Sequence, residues 1–166
     1  MFDTVPRPDL PIGIAPIEQA AKMTGLEQLQ ALLRGDFPAP SMAPALDFWL
    51  HAVAEGEAEF RGEPSARILN PMGQVHGGWA MTLLDSALGS AVHTVMARGE
   101  TYASLDTSVK FLRPITPQTG QVRALGKLQS RGRRIAHAEG RIEDRKGRVL
   151  ALATTSCFIQ PMHTAG

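Results

Sequence analysis

The chain has 166 residues, 43% of them apolar and 20% charged, with a formal net charge of +1. That is the make-up of an ordinary globule with one hydrophobic core, and so small a charge argues against a polyanionic partner such as nucleic acid. A single cysteine, Cys157, excludes an internal disulfide framework and fits a reducing compartment, so a cytoplasmic location is expected.

The opening residues have no basic stretch followed by an apolar one, so no signal peptide is expected. Seven of the twelve prolines lie before residue 45, and residues 1–16 read as an irregular, partly mobile arm. Thr24 and Glu27 have the spacing of a capping box, with Leu26, Leu29 and Leu33 following on one face and Gly35 as a stop. That predicts a short helix over 25–34, then a proline-rich connector over 37–44. Residues 46–54 and 57–62, split by Glu55 and Gly56, read as a first pair of strands.

Asn70 opens the stretch on which the rest of the chain is organised. A turn containing Gly73 leads to His76, Gly77 and Gly78, and then to a helical pattern running to Met96, closed by Gly99. Met81, Leu84, Leu88, Ala91, Val92 and Val95 recur at steps of three and four, which predicts one buried face. Asp85 falls inside that stripe, so its carboxylate is expected to be largely desolvated, an unfavourable setting unless a partner meets it. Two successive glycines are poor helix formers, and their place at the helix start suggests that bare N–H groups are wanted there. Thr82, Asp85, Ser86, Ser90 and His93 interrupt the helix too often for a membrane span.

Four strands are expected behind the helix: 102–112, 121–129, 134–143 and 149–159. Arg131, Gly132 and Arg133 make one turn between them, and Asp144 to Gly147 another. Small residues at Ala124, Gly126, Ala136, Ala138, Gly140, Ala151 and Ala153 would let a helix lie close against the sheet, and Gly89 would help from the helix side. The order predicts an α+β fold, a curved antiparallel sheet around one long helix with an extra N-terminal helix. Open sheet edges invite pairing, so a homo-oligomer is expected.

Asn70, Gly73, the His76-Gly77-Gly78 triplet and Asp85 after six intervening residues resemble the hotdog-fold acyl-CoA thioesterases of the phenylacetic-acid-degradation type. Ala103 to Asp106, Phe111 to Pro114 and the arginine-rich turn resemble that family's following strand and hairpin. The likeness covers residues 45–160, leaving the arm and helix of 1–44 and a tail of 161–166 outside. It implies hydrolysis of an aryl- or alkyl-acyl-CoA to the free acid and coenzyme A, which is part of the substrate, with no separate cofactor. The resemblance makes Asp85 the base or nucleophile and gives the Gly77 N–H to the thioester carbonyl. Asn70 would hold the water or the loop, His76 would orient the carbonyl or fix the loop, and Ser104 would bond the carboxylate or its water. The family builds one site from two subunits, which implies a dimer or a tetramer made of dimers.

Arg131, Gly132, Arg133 and Arg134 form a basic turn suited to the coenzyme A phosphates, and Arg113 is a further candidate. Solvated or strand-capping roles stay open for these arginines. Trp79 could narrow the acyl pocket or pack at a subunit interface. The spacing of His51, His93, His137 and His163 makes no metal site, and Cys157 reads as core. Recasting Ser104, His76 and Asp85 as a triad meets the lack of a Gly-x-Ser-x-Gly elbow. A hotdog hydratase or dehydratase and a non-catalytic acyl-CoA binder remain as alternatives.

Overall fold

A long helix lies in the hollow of one six-stranded antiparallel sheet, and every functional feature hangs on that pair. The structure, a computed structural model, is described over residues 1–162; His163 and most of the expected tail lie outside that range. The elements are α1 (Ile17–Ala20), α2 (Gly25–Arg34), α3 (Met42–Ala45), β1 (Phe48–Ala54), β2 (Glu57–Gly62), α4 (Gly77–His93), β3 (Glu100–Phe111), β4 (Val122–Arg131), β5 (Ile135–Glu143) and β6 (Val149–Pro161). The sheet order is β1-β2-β4-β5-β6-β3, so β3 forms one edge. This is the hotdog fold expected from the sequence.

The small residues act as expected. Ala124, Ala136, Ala138, Ala151 and Ala153 are buried under α4. Gly126 pairs with Gly140 across β4 and β5, and a Cβ on Gly126 would stand 2.2 Å from the Ala87 carbonyl oxygen of the helix. No other residue type allows the helix backbone so near. The buried face of α4 differs from the predicted stripe, however. Ala80, Leu83, Leu84, Ala87, Leu88, Ala91 and Val92 face the sheet, while Met81 is 42% exposed. The contact face is therefore centred about one residue away from the expected line, and Asp85 falls on its border, exposed within the single chain. Wide burial under a curved sheet makes the apolar periodicity a weak guide to where the border lies.

The N-terminal quarter holds more structure than proline content suggested. α2 forms where expected, and both halves of its capping box are present. The short α3 falls largely in the segment expected to be a connector, and α1 follows directly on the residues expected to be irregular. The arm is anchored: Phe2, only 7% exposed, sits under the guanidinium groups of Arg61 and Arg123 at 4.4 and 5.0 Å. Val5 exchanges two hydrogen bonds with the Gln121 side chain. Trp79 does not reach the surface: it is buried in the core beside Gly62, and its indole N–H donates to the Leu46 carbonyl at 2.7 Å.

α2 docks on the C-terminal end of α4. The Gly25 N–H donates to the Met96 carbonyl at 3.0 Å, and His93 Nε2 lies 3.0 Å from Gln28 Oε1. The Gln28 amide nitrogen already donates to the Ala20 and Met23 carbonyls, so its oxygen faces His93 and the histidine proton sits on Nε2. His93 Nδ1 is then sealed with no partner, and burial lowers the histidine pKa to about 4.

Candidate active site

Two separate points on α4, its start and its middle, carry chemistry. At its start, His76 is the N-cap: its Nδ1 accepts from the Gly78 N–H at 2.9 Å, which leaves the ring proton on Nε2. The His76 N–H donates to the Ile68 carbonyl, tying the loop to the helix. Gly77, the first helical residue, has an N–H that makes no hydrogen bond among the described residues. A free donor at the positive end of a helix is suited to an oxyanion. The Phe111 ring packs against Gly77, its Cζ 3.1 Å from where a Cβ would stand, although Phe111 is 55% exposed. Asn70, Gly77, Phe111, Arg113, Ile115 and Leu150 are among the residues around a hollow of ≈ 390 Å³ at this end.

Asn70 is occupied with the loop. Its Oδ1 accepts from the Met72 and Gln74 N–H groups at 2.9 and 3.1 Å, and its backbone bonds Gln74 and Gly73. Arg113 donates to the Val149 carbonyl and so ties the end of β3 to the start of β6.

Two turns further along α4 lies Asp85, about 12 Å from Gly77 at the rise of an α-helix. Its Oδ1 accepts from the Ser104 hydroxyl at 3.1 Å and from the Thr107 hydroxyl at 3.1 Å, while Oδ2 has no partner among the described residues. Ser104 was expected here from the sequence; Thr107 was not. Residues three apart on a regular strand point to opposite faces. A bulge between Ser104 and Asp106 resets the alternation, with Ser104 opposite Cys157 and Asp106 opposite Ser156. Leu105 is the extra residue, and both hydroxyls thereby reach one carboxylate oxygen.

Behind Thr107 stands the buried Thr155 on β6. Their hydroxyl oxygens are 3.3 Å apart, and Thr155 Oγ1 is 2.5 Å from the Asp106 carbonyl oxygen. Burial raises the pKa values of the neighbouring Tyr102 and Cys157, so both are neutral beside Asp85. The triad reading fails on geometry: Ser104 bonds Asp85 directly, while His76 is committed two turns away at the start of the helix.

The arginine turn lies near the far end of β3 from Gly77. Arg131 is paired with Glu100 at 2.6 Å, and Gly132 closes the hairpin onto the Ile135 carbonyl. Arg134 lies over the Phe158 ring at 5.2 Å. Arg133 makes no ion pair among the described residues, and with Arg134 it borders an open hollow of ≈ 630 Å³. Of the expected phosphate contacts, Arg133 and Arg134 are thus uncommitted to carboxylates, whereas Arg131 is neutralised. No group of three or more metal-ligating side chains occurs among the described residues, and no described helix is long and apolar enough to cross a membrane.

No curated protein matches the chain. Residues 72–151 match the sequence profile of the thioesterase superfamily. A phenylacetic acid degradation-related protein from Ralstonia eutropha is 30% identical, with 78% of this chain and 97% of that one covered and a TM-score of 0.71. A mutant form of the phenylacetic acid degradation protein PaaI from Thermus thermophilus is 30% identical over 70% of this chain and 96% of its own, at a TM-score of 0.64. The PaaI protein from the Escherichia coli phenylacetic acid degradation operon, 22% identical over 84% and 96%, shares the fold at a TM-score of 0.71. A helix-borne carboxylate, a bare glycine N–H at the helix start and relatives alike over nearly their whole length lead to one conclusion: the chain belongs to the thioesterase superfamily and is a PaaI-like thioester hydrolase.

Proposed function

We propose that this protein is an acyl-CoA thioesterase whose site is completed by two copies of the chain. The observation that carries the reading is the Asp85 carboxylate, with one oxygen held by two hydroxyls and the other free, set about 12 Å from the free Gly77 N–H on the same helix. That span is too long for both groups to act on one carbonyl, so each is matched with its counterpart from a second copy. Asp85 Oδ2 takes a proton from water or attacks the thioester carbon itself, and the Gly77 N–H of the other copy receives the developing oxyanion. Collapse breaks the C–S bond, and the coenzyme A thiolate leaves and is protonated.

Two further features support this arrangement. β3 is an open edge of twelve residues, and Leu105, Phe111, Leu112 and Met81 expose apolar surface along it and the start of α4. Arg133 and Arg134, in the turn between β4 and β5, lie near the Glu100 end of β3, where they would meet the substrate's phosphates while the acyl group enters the Gly77 end of the other copy. Coenzyme A is then part of the substrate, and no separate cofactor is required.

Asp85→Asn tests the reading. Asn keeps an oxygen for Ser104 and Thr107 but cannot act as a base, so release of free thiol from aryl- and alkyl-acyl-CoA substrates should fall by about 10² to 10⁴. Light scattering at micromolar concentration should show a dimer or tetramer. Near wild-type turnover in the variant, or a fully active monomer, would sink the proposal.

A further inference from the structure

We propose that Thr107, backed by Thr155, is a positioning residue for the reaction: a two-hydroxyl relay that fixes which Asp85 oxygen reacts and adjusts as that carboxylate gains and loses a proton. The inference rests on the Asp85 reading above and makes it a general base. Its observation is the bulge at Leu105, which gives Asp85 Oδ1 a second donor beside Ser104. Two donors on Oδ1 and none on Oδ2 make the two oxygens unequal, so Oδ2 is the one that meets water.

The relay follows from counting protons. An ionised carboxylate only accepts, so Thr107 must give its single proton to Asp85 Oδ1. Thr155 accordingly keeps its own proton on the Asp106 carbonyl, with its oxygen open as an acceptor 3.3 Å from Thr107. When water transfers a proton to Oδ2, its oxygen attacks the thioester carbon and the carbonyl electron pair moves to oxygen. Oδ1 is then the carbonyl of a neutral acid and a weaker acceptor. Thr107 can now turn its proton onto Thr155, and no buried group is left unpaired in either state. When the C–S bond breaks, Asp85 returns the proton to the thiolate and Thr107 turns back.

The ionisable groups facing this cluster are few. Tyr102 on β3 and Cys157 on β6 are neutral, Asp106 on β3 is exposed and accepts from the Ser156 N–H, and α4 presents no other ionisable side chain within one turn of Asp85. Within one copy no other ionisable side chain bonds the Asp85 carboxylate among the described residues.

Thr107→Val keeps the shape and removes the hydroxyl. Losing a donor to the charged form should move the acid limb of kcat up by roughly one pH unit, with kcat reduced and KM little changed. Thr107→Ser should restore both. Should the valine protein not fold by circular dichroism, Thr107→Ala gives the same readings. An unmoved acid limb, with or without loss of activity, would overturn the relay, as would a serine variant no better than valine. Asp85→Asn, measured alongside, separates the two levels. If it is inactive and Thr107→Val behaves like wild type, only the relay is wrong; if it is active, the carboxylate reading fails and the relay with it.

Discussion

Lowering the pH from 7 to 5 should destabilise the protein through His93. Its Nε2–H is spent on Gln28, its Nδ1 is sealed without an acceptor, and burial brings its pKa from 6.5 to about 4. The unfolded chain therefore binds this proton first. Stability is complete above the unfolded value, falls as the pH drops from 6.5 toward 4, and is level with respect to this group below that. The two values give a loss of about 2 kcal/mol by pH 5. With a urea slope of about 1–3 kcal/mol/M, the unfolding midpoint should drop by about 1 M over that range at fixed protein concentration. Glu27, Glu100, Glu143 and Asp144 also have lowered values, but their contributions fade only as the pH passes below the unfolded values of 4.5 and 3.8. The window from 6.5 to 5 thus belongs to the histidine. His93→Gln, which cannot charge, should lower stability at pH 7 yet flatten the curve between pH 7 and 5. Parallel curves for the two proteins would refute the reasoning.

Trp79→Phe removes the indole donor to the Leu46 carbonyl and should cost about 1–3 kcal/mol in urea unfolding, with the relative rates on different acyl chains unchanged. A changed acyl preference would return Trp79 to the substrate pocket. Neutralising Arg133 and Arg134 together should raise KM for a coenzyme A thioester more than it lowers kcat, and added salt should weaken the wild type in the same sense. An unchanged KM would place the phosphates elsewhere.

Much of the fold was readable because local rules and tertiary packing agree. The capping box at Thr24 and Glu27 set α2, and small residues alternating on β4 and β5 marked the face under the helix. Asp85 stood out in the helical stripe and Ser104 followed from the family resemblance, and the two meet. Thr107 was missed because a one-residue bulge reverses the parity that strand reading depends on, and nothing in the residues 104–107 announces it. The burial of Asp85 was overestimated because a helix cupped by a sheet buries nearly half its circumference, which blurs the apolar stripe. Arg131 looked like a free cation because its partner, Glu100, lies 31 residues earlier. The arm looked loose because its anchors, Arg61, Gln121 and Arg123, are still more distant in the chain.

Sheet order also governs when this protein can become active as it folds. Among the described strands β3 is bonded only to β6, so residues 100–111 wait for residues 149–161 before their register is defined. A nascent chain ending after β5 already holds β1, β2, β4, β5 and α4, whereas the Leu105 bulge, the Thr107–Thr155 pair and the ligation of Asp85 need the final strand. The β3–β6 and β2–β4 pairings both join distant residues, and such non-local pairings are slow to form. Helical signal should recover ahead of turnover during refolding, because the hydroxyls around Asp85 find their places only once β6 has paired with β3.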